Sequence, residues 1–299
     1  MIKQRIMIIG SNGMLGQRLT EYYLLQNNAE VYCTSNEDES FIPNVDYDKI
    51  DLADKKSVKK AVTKFFPDVI INAAAYTAVD KCESEKELAW KINVTGVENL
   101  IHYAKSVDAK IIHISTDYVF DGENGPYDET KIPNPISYYG RTKLASENAL
   151  LTSGINYAIV RTNVLYGHAK YGRPDFVKWV VTSLHDGKEI NIVDDQINNP
   201  TFLDDLVKGI DGLVKFKKTG LYNIGGKEFL NRFDFTIRIA DFFDLDKSRI
   251  KRIKTADLNQ PARRPLKSGL IILKAETEIG YKPHSIEESL NVMKRELGL

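Results

Sequence analysis

The segment Arg5-Ile-Met-Ile-Ile-Gly-Ser-Asn-Gly-Met-Leu-Gly-Gln17 constrains the fold more than any other stretch of the chain. Ile6 to Ile9 is a short apolar run without alternation, as expected of a fully buried strand. Gly10, Gly13 and Gly16 follow at once. A helical pattern begins among them, with Leu15, Leu19, Tyr22 and Tyr23 on or near one face. In such a strand–turn–helix unit Gly10 permits the tight turn. Gly13 lets the backbone approach a pyrophosphate, and Gly16 lets the helix pack closely on the sheet. The helix then turns its free N–H groups and positive end to the phosphates. The spacing is G-x-x-G-x-x-G, not the G-x-G-x-x-G of the usual fingerprint. Asn12, Met14 and Leu15 belong to the same turn and are expected at the dinucleotide.

Strands and helices alternate repeatedly before residue 120, which predicts a parallel sheet with crossover helices. Val31 to Thr34 reads as the second strand, Tyr47 to Leu52 as an extended segment and Asp54 to Phe66 as a helix. Val69 to Asn72 is a buried strand, Glu83 to Lys105 a long helix, and Ile111 to Ser115 the next strand. The second strand ends in Ser35 and Asn36, with Glu37, Asp38 and Glu39 slightly later. A carboxylate in that region would hold adenosine ribose hydroxyls. A hydroxyl and amide cluster tolerates a 2′-phosphate better, although no Arg is there to attract one. NADPH is therefore slightly favoured over NADH, and at least two of the three acids are expected on a solvated loop. Asp51 and Leu52 are candidates for the adenine edge. Ala73, Ala74 and Ala75, at a strand's carboxyl end, let a flat ligand lie against backbone.

Tyr139 and Lys143 are four apart at the start of another helical run, so both project from one face. A phenol ordinarily has a pKa of about 10. A nearby ammonium would lower it and fit it to exchange a proton with an alkoxide. The lysine can also hold the nicotinamide ribose. Thr116, at a strand end, can orient a carbonyl. Asn93, an amide within the apolar stripe of the long helix, is expected to support the backbone or a water near Lys143 and is grouped with the cofactor site.

Taken together, Gly10 to Gly16, Asn72-Ala-Ala-Ala-Tyr-Thr-Ala-Val-Asp80, Ser115-Thr-Asp-Tyr-Val-Phe-Asp-Gly122 and Tyr138-Tyr-Gly-Arg-Thr-Lys143 form a specific set. Arg161-Thr162, Val193 to Thr201 and Arg264-Pro265 extend it. With these marks the chain resembles an extended short-chain dehydrogenase/reductase, most closely the dTDP-4-dehydrorhamnose reductase family. The resemblance implies an α/β fold, a Rossmann-type doubly wound parallel sheet with a smaller C-terminal substrate-binding lobe. It implies NAD(P)H-dependent reduction of the 4-keto group of a nucleotide-linked deoxysugar, the last step in making activated rhamnose. Tyr139 falls on the general acid, Lys143 on its lysine and Thr116 on the hydroxyl partner. Asp117 and Tyr118 fall on residues lining the sugar. Arg264, an arginine fork before Pro265, suits a nucleotide diphosphate, and Asn163 is grouped with the substrate residues. A monomer or homodimer is implied. One departure is the tryptophan usual near the substrate, whose place falls at about Val164. Another is Asn199, standing where glycine is frequent and explained by the tolerance of Asn for unusual backbone angles. Two alternatives stay open. One is another nucleotide-sugar reductase or epimerase. The other is a non-catalytic dinucleotide-binding subunit resembling the regulatory subunit of methionine adenosyltransferase.

Residues 1–162 are expected to form the dinucleotide-binding domain, completed by parts of 191–226. Residues 163–299 are expected to form mainly the substrate lobe, with an interleaved boundary. Asp175 to Leu184 reads as a helix apolar on more than one side. With 41 basic and 41 acidic residues, nothing favours a nucleic-acid or membrane partner,. Cys33 and Cys82 are too few for a disulfide framework or zinc site. The histidines lack ligand spacing, so no catalytic metal is expected. Gly10 and Asn12 interrupt the first apolar stretch, no signal core is recognised, and a soluble cytoplasmic protein is expected.

Overall fold

A computed structural model describes residues 3–298. The first strand, β1 (Gln4–Ile9), ends at Gly10, where φ is +77° and the chain turns into α1 (Met14–Leu24). β2 (Ala29–Ser35) and β3 (Asp46–Lys49) follow. α2 (Lys55–Phe65) starts where the Asp54 carboxylate accepts from the N–H groups of Lys56 and Ser57,. β4 (Val69–Asn72) is buried throughout.

The single helix expected over Glu83 to Lys105 is in fact four pieces. These are α3 (Val79–Ser84), α4 (Lys86–Trp90), a π-helical turn at Lys91–Thr95 and α5 (Gly96–Ser106). The buried Asn93 sits in the π turn. Its Oδ1 accepts from the Tyr76 N–H at 2.7 Å, and its Nδ2 donates to the Tyr76 carbonyl and to Thr142 Oγ1. The amide thus clamps the loop after β4 to the helix that follows.

That helix, α6 (Tyr138–Leu151), comes after β5 (Lys110–Thr116) and is capped by Ser137. β6 (Tyr157–Thr162) returns to the sheet. The chain then leaves it for β7 (Leu165–Tyr166), α7 (Phe176–His185), β8 (Ile190–Val193), β9 (Ile197–Asn198) and β10 (Thr201–Phe202). Next, α8 (Leu203–Lys215) and β11 (Gly220–Asn223) come back. The remainder is β12 (Leu230–Asn231), α9 (Arg232–Phe242), β13 (Ile250–Ile253), α10 (Leu273–Ile279) and α11 (Ile286–Leu297).

Seven strands form one parallel sheet in the order β11-β6-β5-β4-β1-β2-β3. Winding reverses between β1 and β4, and ligands of such sheets lie at the carboxyl ends flanking that reversal. Alternate residues of β1 feed opposite cores. Ile6 and Ile8 pack with Leu19, Leu206 and Ile210, while Met7 and Ile9 pack with Val58, Val62 and Leu100. Interleaving reaches beyond residues 191–226, because Ala275, Ile279 and Tyr281 also belong to the first of these cores. A separate cluster of Tyr166, Val180, Ile192, Phe235 and Leu290 supports the C-terminal lobe. Among the described residues, no helix is long and apolar enough to cross a membrane.

Candidate active site

A cleft of about 590 Å³ opens at the carboxyl ends of β1, β2 and β4, where the winding reverses. Gly10, Gly13, Met14, Leu15 and Gly16 form its floor. Gly13 is the N-cap of α1 and offers no side-chain hydrogen bond, so the first N–H groups of the helix have no cap from within that turn,. A Cβ at Gly10 would stand 2.8 Å from the Ala74 nitrogen, and one at Gly16 would collide with the Gly10 carbonyl. The glycines therefore bring the helix, the turn and the loop after β4 into contact. Ser35, Asp51, Leu52, Ala73, Ala74 and Ala75 line the walls.

Asn36 and Glu37 line the cleft as well. Asn12 and Asn93, placed with the cofactor by sequence, lie behind the lining. The Asn12 amide donates to the Glu39 carbonyl at 2.8 Å and accepts from the Phe41 N–H at 2.9 Å, tying a loop to the glycine turn.

Thr116, Tyr139 and Lys143 converge at the inner end of the same cleft. Burial raises the Tyr139 phenol well above its ordinary value, Asp117 and Tyr118 add to this, and the Thr116 hydroxyl opposes it. The net shift of the phenol is therefore upward, where the sequence reading expected a lowering by Lys143; burial outweighs the nearby ammonium. Burial pushes Lys143 itself down to about 8, with Glu147 opposing. Its Nζ donates to the Ile114 carbonyl at 2.7 Å and lies 3.2 Å from His113 Nε2.

The neighbouring hydrogen bonds assign the histidine tautomer. Asn72 Oδ1 accepts from the Ala74 N–H, leaving its amide nitrogen to donate to His113 Nδ1 at 3.1 Å. The imidazole proton therefore sits on Nε2, facing Ser146 Oγ at 3.0 Å. Burial holds this ring neutral, and the Lys143 charge adds to that.

A second cleft of about 290 Å³ is lined by Tyr118, Phe176, Trp179, Gln196, Arg232 and Arg264, among others. The two clefts meet through their tyrosines: the Tyr118 ring lies edge-on to Tyr139, with centroids 5.7 Å apart. The guanidinium fork of Arg264 is already filled by the Asp80 carboxylate, at 2.5 and 2.6 Å. Arg232 has no carboxylate within 4.0 Å among the described residues and lies over the Phe176 ring at 5.0 Å. It starts α9 in a segment that carries no motif, so no local signal points to it. Trp179 brings an indole to this cleft from α7, a different element from that carrying Val164.

Asp117 lines neither cleft. It is buried, its carboxylate accepts from Ser268 and Thr116, and burial raises it to about 6. Asn163 lines the first cleft, but its amide donates to Asn199 and accepts from Thr201. Asn199 is not in a left-handed conformation. It is a buried side-chain hub that bonds Asn163, Gly226 and Leu270.

The RmlD substrate binding domain family matches residues 4–298. The chain is 33% identical over 298 residues to a dTDP-4-dehydrorhamnose reductase of Aggregatibacter actinomycetemcomitans, covering 96% of this chain and 97% of that protein. It is also 30% identical over 280 residues to methionine adenosyltransferase 2 subunit beta of Rattus norvegicus, covering 92% and 82%. The crystal structure of dTDP-4-dehydrorhamnose reductase from Bacillus anthracis in complex with NADP superposes with a TM-score of 0.89 at 32% identity, covering 99% of this chain and 100% of that one. Sequence and fold agree over nearly the whole length, and the chain belongs to the RmlD substrate binding domain family, with the fold of the extended short-chain dehydrogenase/reductases.

Proposed function

We propose that this chain reduces the 4-keto group of a nucleotide-linked deoxysugar, most specifically dTDP-4-dehydrorhamnose to dTDP-rhamnose. One observation carries this reading. Tyr139 closes the inner end of a cleft shaped for a dinucleotide and touches Tyr118, which lines a second cleft with Arg232, an arginine that meets no carboxylate among the described residues. NADPH or NADH, when bound, supplies the hydride. Tyr139, kept protonated by burial, gives its hydroxyl proton to the oxygen that becomes the alcohol,. Thr116 orients that oxygen. Lys143 holds the ribose side of the site and steadies the phenolate left behind.

Arg232 meets the diphosphate in the second cleft, beside the indole of Trp179. Residues 1–162, completed by later segments, hold the dinucleotide, and the remainder mainly holds the sugar nucleotide. The protein acts in the cytoplasm as a monomer or homodimer. Likeness to the methionine adenosyltransferase subunit supports a second reading, a partner-binding dinucleotide protein without turnover.

Loss of nicotinamide absorbance on mixing the protein, NADH or NADPH and dTDP-4-dehydrorhamnose separates the two. Oxidation of the cofactor supports the reductase; dinucleotide binding without oxidation sinks it for that substrate. Hydrogen bonds to charged groups contribute about 1.5–3 kcal/mol. Arg232→Met should therefore raise KM about ten- to a hundredfold with a smaller change in kcat. Should KM hold in Arg232→Met but rise in Arg264→Met, the diphosphate belongs to Arg264.

A further inference from the structure

We propose that His113 is a positioning residue for the reaction, biasing the charge of Lys143 by aiming a pinned N–H at its Nζ. The imidazole is fully buried on β5 and lines neither cleft. It touches no ligand position, and the reaction described above does not use it. A histidine serving the core alone needs only a partner for each ring nitrogen. This one has both, and Lys143 stands against it as a third neighbour.

The hydrogen bonds around the ring run in one direction. The Ala74 N–H donates to Asn72 Oδ1 at 3.2 Å, so Asn72 Nδ2 is left to donate to His113 Nδ1 at 3.1 Å. On the other side, Ser146 Oγ donates to the Lys143 carbonyl at 2.7 Å, so its lone pairs accept from His113 Nε2–H at 3.0 Å. Each group has one role left to it, and the proton stays on Nε2. Lys143 Nζ lies 3.2 Å from that nitrogen. An ammonium there sets its N–H groups against an N–H and gains no bond. A neutral amine offers a lone pair, and Nε2–H is then shared between Nζ and Ser146. The pinned ring favours the amine, the direction in which burial also acts,.

Other groups around α6 do not supply this bias. Glu147, one turn on, opposes burial, and Arg161 of β6 binds both of its oxygens. Asp117, in the turn after β5, bears on Tyr139. Glu83 of α3 accepts from the Tyr138 N–H at the start of the helix. The Ile114 carbonyl accepts from Nζ at 2.7 Å and favours the ammonium. Through Asn72, His113 also joins Lys143 to the segment Ala73 to Ala75 that lines the dinucleotide cleft. The pH at which reduction loses the Lys143 charge is thus set by His113 as well as by burial.

The test uses the full chain, and only its kinetic part rests on the reductase reading. Nitrogen-15 NMR of histidine-labelled protein separates the Nε2–H from the Nδ1–H form, with His113 identified by the signals lost in His113→Gln. Wild type should hold the neutral Nε2–H form from about pH 6 to about 10. The Lys143 midpoint is read from its ε-carbon resonance, assigned with Lys143→Met, and from the alkaline fall of kcat/KM. In His113→Gln the amide can turn its oxygen to the ammonium, which the pinned imidazole cannot. Both midpoints should rise by about one pH unit. Ser146→Ala frees Nε2–H for Nζ and should lower them by about half a unit. A purely structural role would depress kcat/KM evenly across pH and leave the midpoints in place. An Nδ1–H form in wild type, or a midpoint unmoved or moved the other way in either folded variant, overturns the proposal. Each variant decides alone should the other not fold. Absence of turnover by wild type overturns the reductase reading for that substrate, and the NMR titrations still decide the role of His113.

Discussion

Tyr139→Phe should lower kcat by about 10²–10⁴, the range that a positioned proton donor contributes. Dinucleotide affinity should stay within about twofold, because the ring and its packing are retained. The residue is 9% exposed, and its ring rests against Tyr118. Removal of the hydroxyl oxygen therefore takes away the proton and little else. Burial keeps the phenol above its ordinary range, so it stays protonated through neutral pH, the form that reduction needs. The titration to watch is that of Lys143, held down to about 8. Below that value it is an ammonium; above it, the charge that steadies a phenolate is lost. The kcat/KM of reduction should accordingly fall as pH rises through about 8, since that parameter reports groups of the free enzyme,. Steady-state kinetics from pH 6 to about 10 would check both points. A Tyr139→Phe protein with near wild-type kcat would remove Tyr139 from the chemistry. A flat profile across that range would deny Lys143 a role through its charge.

The parts of this site legible in the sequence were those whose signal is local. A glycine triplet after an apolar run specifies a turn and a helix end, and Tyr139 and Lys143 share a face by spacing alone. Both features line the cleft. Contacts between distant segments were not legible. Asp80 and Arg264 are 184 positions apart, and nothing local shows that one fills the fork of the other. The diphosphate role is therefore proposed for Arg232, an arginine without a motif. Asn93 looked like an interruption of one helix, whereas a π turn lets its amide reach Tyr76 and Thr142. Glu37 shows the same limit at short range. Its neighbours Asp38 and Glu39 have the same charge, and only the turn fastened by Asn12 decides which acid meets the cleft.

Single removal of either member of the Glu147–Arg161 pair should cost about 3–5 kcal/mol of stability, the effect of leaving a buried charge uncompensated. Glu147 and Arg161 are 1% and 3% exposed, and two bonds join them at 3.0 and 2.6 Å. Ser115 Oγ donates to the same carboxylate, and the guanidinium lies 5.0 Å over the Phe120 ring. The pair thus ties α6 to β5 and β6 beneath the active site, one turn beyond Lys143 and next to Thr116. Burial of an ion pair is itself expensive, so the pair is weak evidence of net stabilisation. The distinctive expectation is therefore non-additive. Glu147→Leu and Arg161→Met together should be less destabilised than either single variant, because no charge is then stranded. The double variant should still lose activity, since the carboxylate that receives Ser115 is gone and Thr116 follows directly in the chain. Urea unfolding of all four proteins, with kcat measured on each, checks this. Additive losses would show that the two side chains contribute through packing alone. Full activity in the stable double variant would show that the tie beneath Thr116 and Lys143 does not position them.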